Sequence, residues 1–222
     1  MRRTNPRFIA VGFGGSLLWL VLAISSWGDF RGFFANPARM GLAIGTIVFA
    51  VALCFSGASG LSAGPREMTS NRWVLFPFII VPLIMALLLP YADRHNWWTI
   101  GGDTVRYLGL AFFLIGGMIR VAAVFALGHR FSGLVTVQEQ HELKLDGLYH
   151  VIRHPSYTGL ILGTLGWCLI FRSGIGLLLL LVMLAAIIAR IHAEERFLRE
   201  EFGEKYSIYC RQTRWRLLPL LY

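Results

Sequence analysis

Two stretches of the chain concentrate side chains that can bind an ionic ligand or move a proton. The first is His141-x7-Tyr149-x3-Arg153-His154-Pro155-Ser156-Tyr157-x-Gly159. The second is Arg190-x3-Glu194-Glu195-x2-Leu198-x3-Phe202-Gly203-x2-Tyr206-x2-Tyr209. Pro155 disfavours helix at His154 and itself suits the first turn of a helix. Arg153 and His154 therefore lie on an extended approach to a helix N-terminus, where free backbone N–H groups and a neighbouring cation favour an anion. A plain cationic helix start at headgroup level fits the same residues, so the pattern alone leaves both roles open. In the second stretch Arg190 and Glu194 are four apart and share a helix face. They form either an ion pair that offsets an arginine inside a membrane span, or a carboxylate beside a pocket for a cationic ligand.

The elements that must carry these residues are membrane helices. Of 222 residues 56% are hydrophobic and only 15% charged, with a mean hydropathy of +0.61. A soluble domain carries about a quarter charged residues, so an aqueous single-core enzyme and a disordered chain are both excluded. Six apolar stretches, each near the roughly 20 residues that cross a bilayer or somewhat shorter, can be marked. They run about 8–27, 40–59, 73–92, 107–127, 157–171 and 175–191. The last two are separated only by Arg172-Ser173-Gly174, which predicts an antiparallel hairpin with Gly163, Gly166, Gly174 and Gly176 allowing close backbone approach. The expected fold is all-α: a polytopic helical bundle of about six transmembrane helices, followed by a cytoplasmic amphipathic helix over His192 to Arg216 that breaks near Gly203.

Of the 21 Lys and Arg, 14 fall on the side that holds both ends and five (Arg31, Arg39, Arg94, Arg106, Arg172) on the other. The positive-inside rule then puts both termini, and the polar clusters, in the cytoplasm. It also accounts for the net charge of +9 without nucleic acid. Arg120, about 10 Å from the cytoplasmic end of the fourth span at helical rise, either snorkels to the surface or points inward at an anionic substrate. His95, Trp97 and Trp98 read as an interfacial belt, and His129 and Arg130 as headgroup contacts. Gly41 and Gly45 read as an exposed surface for helix pairing. The three separated cysteines and the lack of a His-Glu-x-x-His pattern give no metal site.

From about His129 onward the chain resembles the isoprenylcysteine carboxyl methyltransferase family, similar in turn to membrane phospholipid N-methyltransferases. The resemblance rests on His141-Glu-Leu, Asp146-Gly-Leu-Tyr149, Arg153-His-Pro-Ser-Tyr157-Thr-Gly159, Arg190-Ile-His-Ala-Glu194-Glu195, Phe202-Gly-Glu-Lys-Tyr206 and Trp215-Arg-Leu-Leu-Pro219. Each is short; their order and spacing across a helical hairpin make them specific. The resemblance implies an S-adenosylmethionine-dependent methyltransferase acting on a lipidic or amphiphilic acceptor, with a prenylated cysteine carboxylate as the named candidate. It implies a cofactor pocket lined or braced by His141, Tyr149, His154, Pro155, Tyr157, Glu194 and Glu195. Arg153, Arg190 and Glu194 would serve the reaction itself, with Tyr206 and Tyr209 packing a lid. It further divides a single membrane domain, 1–222, into acceptor-side helices over 1–127 and a methyltransferase core over 128–222.

The residue types suit that chemistry. Glu194 or Glu195 can pair with the cofactor's ammonium or accept from its ribose, the Arg153-His154 helix start can receive its carboxylate, and Tyr157 or Phe202 can stack on adenine. A carboxylate acceptor needs no general base, whereas an amine acceptor needs one, for which His154 or Glu195 is the candidate. The alternatives are phospholipid amine N-methylation, a sterol-type reductase using NADPH, and a non-enzymatic transporter or assembly factor. The last has no internal repeat to support it.

Overall fold

The computed structural model describes residues 6–56, 58, 66–67, 75–128, 136–137, 143–219 and 222. Nine helices follow one another among these residues: α1 (Pro6–Trp27), α2 (Phe30–Phe34), α3 (Pro37–Cys54), α4 (Leu75–Arg94), α5 (Asp103–Leu127), α6 (Leu148–Val151), α7 (Pro155–Ile170), α8 (Gly174–Phe202) and α9 (Glu204–Gln212). A two-residue antiparallel ladder, β1 (Arg66–Glu67) on β2 (Thr136–Val137), is the small exception to an all-helical chain. Four helices are long and apolar enough to cross a membrane, namely Pro37–Cys54, Phe76–Arg94, Asp103–Leu127 and Gly174–Phe202. Phe13–Trp27 and Pro155–Ile170 are shorter apolar helices, so the chain is a multi-pass membrane protein in which, among the described residues, four of the six expected spans reach spanning length. The expected segments all appear as helices, with ends moved by a few residues, except at α8.

Local chemistry sets those ends. Pro37 and Pro155 occupy the first turns of α3 and α7, where a missing N–H costs nothing. The Asn36 side chain accepts from Ala38 N, and the Ser173 side chain accepts from Gly176 N, capping α3 and α8. The expected break near Gly203 is present, at φ +54, a left-handed value that glycine adopts without strain. Before it, however, α8 runs eleven residues beyond the expected end at Ile191. Polar residues ended the apolar run there, but nothing before Gly203 breaks the backbone hydrogen bonding.

The glycines pair helices other than those expected. α5 and α7, not the α7–α8 hairpin, make the closest backbone approach. A Cβ on Gly109 would lie 2.6 Å from Ile170 N, and one on Gly159 would lie 2.6 Å from Arg120 N. Gly116 likewise faces the Gly159–Gly163 turn, and Gly166 faces Phe113 N. Small residues seven apart on each helix (109 and 116; 159 and 166) let the two backbones meet along one stripe. Only Gly176 serves the hairpin, against Cys168. Gly41 and Gly45 are not an exposed pairing face: a Cβ there would strike Leu110 and Phe113, so both seat α3 on α5.

Below the hairpin turn, charge is buried. Asp93, 2% exposed, receives both guanidinium arms of Arg106 and Arg172 Nε at 3.0 Å. Arg39 Nη1 lies 3.7 Å away, and Arg39 also donates to the carbonyls of Phe33 and Gly32 and stacks on Trp27. Three arginines expected as loop charges thus share one carboxylate and tie α3, α4, α5 and the α7–α8 turn together.

Candidate active site

At the opposite end of the bundle the two polar stretches meet. Extended backbone at Arg153 and His154 pairs with the C-terminal segment, Arg153 N donating to Trp215 O and His154 N to Arg216 O, each at 2.9 Å. Thr158 Oγ1 donates to Leu217 O at 2.6 Å, and Thr213 Oγ1 to His150 O at 3.1 Å. The chain end is therefore strapped across the start of α7, and α8 is held beside it. Pro155 is buried as the first residue of α7 and shapes this turn.

Neighbouring glutamates on α8 face different ways. Glu194 accepts from Tyr157 Oη at 2.9 Å, and the same hydroxyl accepts from Arg190 Nε at 2.6 Å. Tyr157 thereby bridges the arginine and carboxylate that sequence spacing placed on one face. Glu195, 2% exposed, instead gathers Arg153 Nη1 at 3.1 Å, His154 Nε2 at 3.4 Å and the Arg216 fork at 3.1–3.2 Å. Arg199 Nη2 stands at 3.6 Å from it. A shallow polar pocket lined by His192, Arg196, Arg199, Glu200 and Arg216 lies on Glu195's side.

Glu194 opens on a separate chamber of about 760 Å³, a volume typical of cofactor and drug-sized sites. Its polar end is formed by Arg120, Tyr149, Arg153, His154, Tyr157 and Arg190, with Tyr206 and Tyr209 of α9 closing it. Trp19, Phe49, Phe78, Met85, Phe113 and Trp167 extend it into the apolar interior among α1, α3, α4, α5, α7 and α8. The chamber is thus continuous from charged groups to hydrocarbon-like walls. Residues on both sides of position 127 build it. α9 covers a cavity, one of the two placements its amphipathic pattern allowed. Phe197 and Leu198 line this end, whereas Phe202, the last residue of α8, lies outside the wall. His141, His129 and Arg130 lie outside the described residues.

Burial pushes the hydroxyls of Tyr149, Tyr206 and Tyr209 above the ordinary phenol range, with Glu194 adding to the effect at Tyr149. All three stay protonated near neutrality and serve as donors. Tyr209 Oη donates to Tyr149 O at 2.6 Å, pinning α9 over α6. Among the described residues three donors of chamber-lining residues are buried without a hydrogen-bond partner: Arg153 Nε and Tyr206 Oη at the polar end, and Trp167 Nε1 in the apolar part. A buried unpaired donor is costly, so these groups suit a ligand that brings oxygen acceptors. Sequence reasoning assigned no role to Arg216 or Ser156, and left the chamber face of Arg120 as one of two alternatives. Arg216 was legible only as part of the Trp215–Pro219 motif, and no local signal tied it to Glu195.

Comparison with known proteins finds methyltransferases among the similar chains. A family model described as "Phospholipid methyltransferase" matches residues 104–205. Protein-S-isoprenylcysteine O-methyltransferase B of Arabidopsis thaliana is 24% identical over 186 residues, covering 81% of this chain and 91% of that protein. The Saccharomyces cerevisiae protein-S-isoprenylcysteine O-methyltransferase is 31% identical over 152 residues, covering 67% of this chain and 62% of that one. The solved structure of a eukaryotic intramembrane Ras methyltransferase ICMT aligns over 97% of each chain, at 18% identity and a TM-score of 0.48. The class is therefore an integral-membrane methyltransferase. Within that class the chain is similar to protein-S-isoprenylcysteine O-methyltransferases over most of its length.

Proposed function

We propose that the chain uses S-adenosylmethionine to methylate the carboxylate of a lipid-bearing acceptor, of which a prenylated cysteine is the leading case, at the cytoplasmic face. The observation that carries this reading is the single chamber joining a cationic, donor-rich end to an apolar interior. One end suits a water-soluble ionic molecule and the other a lipid tail. The cytoplasmic assignment follows from the Lys and Arg bias. Three of the five cations counted on the far side, Arg39, Arg106 and Arg172, are drawn into the buried cluster at Asp93, which leaves that surface poorer still in free positive charge.

The donor set fits the cofactor. Arg153 Nε and Tyr206 Oη offer unused hydrogens to its carboxylate, while Glu194 offers an acceptor to its ammonium or ribose. In this reading residues 128–222 supply the donor site, and the helices before them supply most of the acceptor walls. Glu195 acts as a brace, fixing Arg153 and His154 at the start of α7. The bound cofactor supplies a methyl group on a positively charged sulfur, with a neutral thioether as leaving group. An acceptor carboxylate, already ionised, would take that methyl group without giving up a proton, so no general base is asked of the protein. The protein's task is to align the oxygen, hold water out and keep Glu194 in place through Tyr157 and Arg190.

The test is direct. The detergent-purified chain is titrated with S-adenosylmethionine by calorimetry, then offered N-acetyl-S-farnesylcysteine and a phospholipid extract, with products read by mass spectrometry. Saturable cofactor binding and a methyl ester are expected. Tyr157→Phe, which severs the Arg190–Glu194 bridge, should lower kcat by about 100-fold, the scale of a small misplacement of reacting groups. Methylated ethanolamine headgroups without any ester would overturn the reading in favour of amine methylation.

A further inference from the structure

The outer face of α8 changes character at one point. Counted in steps of three and four, Leu178, Val182 and Ala185 lead to His192, Arg196 and Arg199, all exposed, so one face runs from apolar to cationic. The far end of the helix fixes the depth of that change. α8 starts at the Ser173 cap, where Gly174 N donates to the carbonyl of Trp98, itself 59% exposed, and exposed tryptophan marks a headgroup boundary. A hydrocarbon core takes about 20 helical residues from there, which ends near Glu194. Arg196 and Arg199 therefore stand in the next turn, among the headgroups of the leaflet at the chamber end.

Both arginines border the polar pocket on Glu195's side, a hollow of about 400 Å³ that shares no lining residue with the chamber. Tyr222 bounds it, with its hydroxyl 3.1 Å from His192 Nε2 and its ring under the Arg216 guanidinium. Cations here exceed what the carboxylates answer. Glu195 already takes Arg153 and the Arg216 fork, so Arg199 is an outer partner at 3.6 Å. Among the described residues Arg196 has no carboxylate within ion-pairing distance. Glu200 is the second acidic group of the lining. With His192 neutral, four arginines around two carboxylates leave an excess of two positive charges.

We propose that this hollow binds the headgroup of an anionic phospholipid, its phosphate on Arg196, Arg199 and Arg216 and its acyl chains along the Leu178–Val182 face. Guanidinium forks match phosphate oxygens, and the apolar face below them supplies what a soluble anion does not use. A zwitterionic lipid brings the same phosphate but carries its own cation into a site already in positive excess. Arg216 belongs to the strap that also holds Glu195, so an occupied site steadies the strap from its outer side. The inference stands whatever the chamber methylates.

The experiment titrates the full chain in detergent with dioleoylphosphatidylglycerol or dioleoylphosphatidylcholine and counts bound lipids by native mass spectrometry. Wild type should bind the first phosphatidylglycerol about tenfold or more tighter than phosphatidylcholine. Arg196→Gln should weaken phosphatidylglycerol about fivefold, the worth of one arginine beside an anionic lipid. Adding Arg199→Gln should bring it down to the phosphatidylcholine level. Lysine at both positions should keep most of the preference, and Arg31→Gln, an equal charge change at the other end of the bundle, should leave it intact. Because Arg196 is exposed and unpaired, its variant should unfold at the wild-type temperature, which separates lost binding from a lost fold. Millimolar inorganic phosphate should not displace the lipid; displacement would make the hollow a site for a soluble anion and overturn the proposal. Equal affinity of wild type for the two lipids, or a preference that survives in the double variant, would overturn it as well.

Discussion

At each end of the bundle one buried carboxylate sits among three arginines, yet the two clusters do different things. Around Asp93, Arg39, Arg106 and Arg172 also spend their donors on the carbonyls of Phe33, Gly32, Ile170 and Gly101, and on the Asn96 side chain. Among the described residues that network is answered from within the protein and lines neither of the two cavities. Around Glu195, Arg153 keeps an unpaired Nε, and both Arg153 and His154 form part of the chamber wall. A charge cluster is a staple when every donor is answered from within the protein. It becomes part of a binding site when donors are left over beside a cavity. The same residue types at the same ratio therefore say little about role until their partners are known.

The comparison can be broken from either end. The largest effect is expected from Asp93→Asn, which leaves three buried arginines without their shared anion. Removing one partner of a buried ion pair costs about 3–5 kcal/mol, so thermal unfolding in detergent should fall steeply, or the chain should fail to fold. Any protein that does fold should bind S-adenosylmethionine normally; a stable Asp93→Asn that had lost cofactor binding would reverse the roles of the two ends. Glu195→Gln should cost less, about 2 kcal/mol for charged hydrogen bonds in a cluster that borders a polar pocket. Its distinguishing sign is a cofactor affinity reduced by more than the stability loss explains, because Arg153 and His154 lose their brace. Retention of full affinity by Glu195→Gln would make this cluster a second staple. The smallest effect belongs to Arg199→Ala. Arg199 is 54% exposed and 3.6 Å from Glu195, so the change should move stability by no more than about 0.5 kcal/mol and leave cofactor binding untouched.

Much of this fold is legible in the chain itself, because a membrane span announces itself through an uninterrupted apolar run and a proline or glycine at its ends. The end of α8 is less legible: Ile191 closes the apolar run, but helix continues wherever backbone bonds are unbroken, and side-chain polarity from His192 onward does not break them. The glycines were visible without their partners. Gly163 and Gly166 lie next to the hairpin in sequence, yet the Gly159–Gly166 stripe packs on Gly109 and Gly116, some fifty residues upstream. Asp93 drew no attention, since a single aspartate at a helix end carries no pattern. Its meaning comes from Arg39, Arg106 and Arg172, which reach it from three other segments. The site motifs were the easiest part, because Arg153–Gly159 and Arg190–Tyr206 each keep their chemistry within a short window.

What the sequence determined by itself is therefore a set of apolar helices, their approximate ends, and the two windows where ionisable residues gather. What only the tertiary structure decided is which member of each window faces which partner. Glu194 and Glu195 are adjacent and chemically identical, but successive residues on a helix point about 100° apart. The docking of α7 and of the C-terminal strap against α8 turns the first toward Tyr157 and the chamber, and the second toward Arg153 and Arg216. No local pattern can choose between them, because the choice is made by surfaces that meet only after the helices have packed.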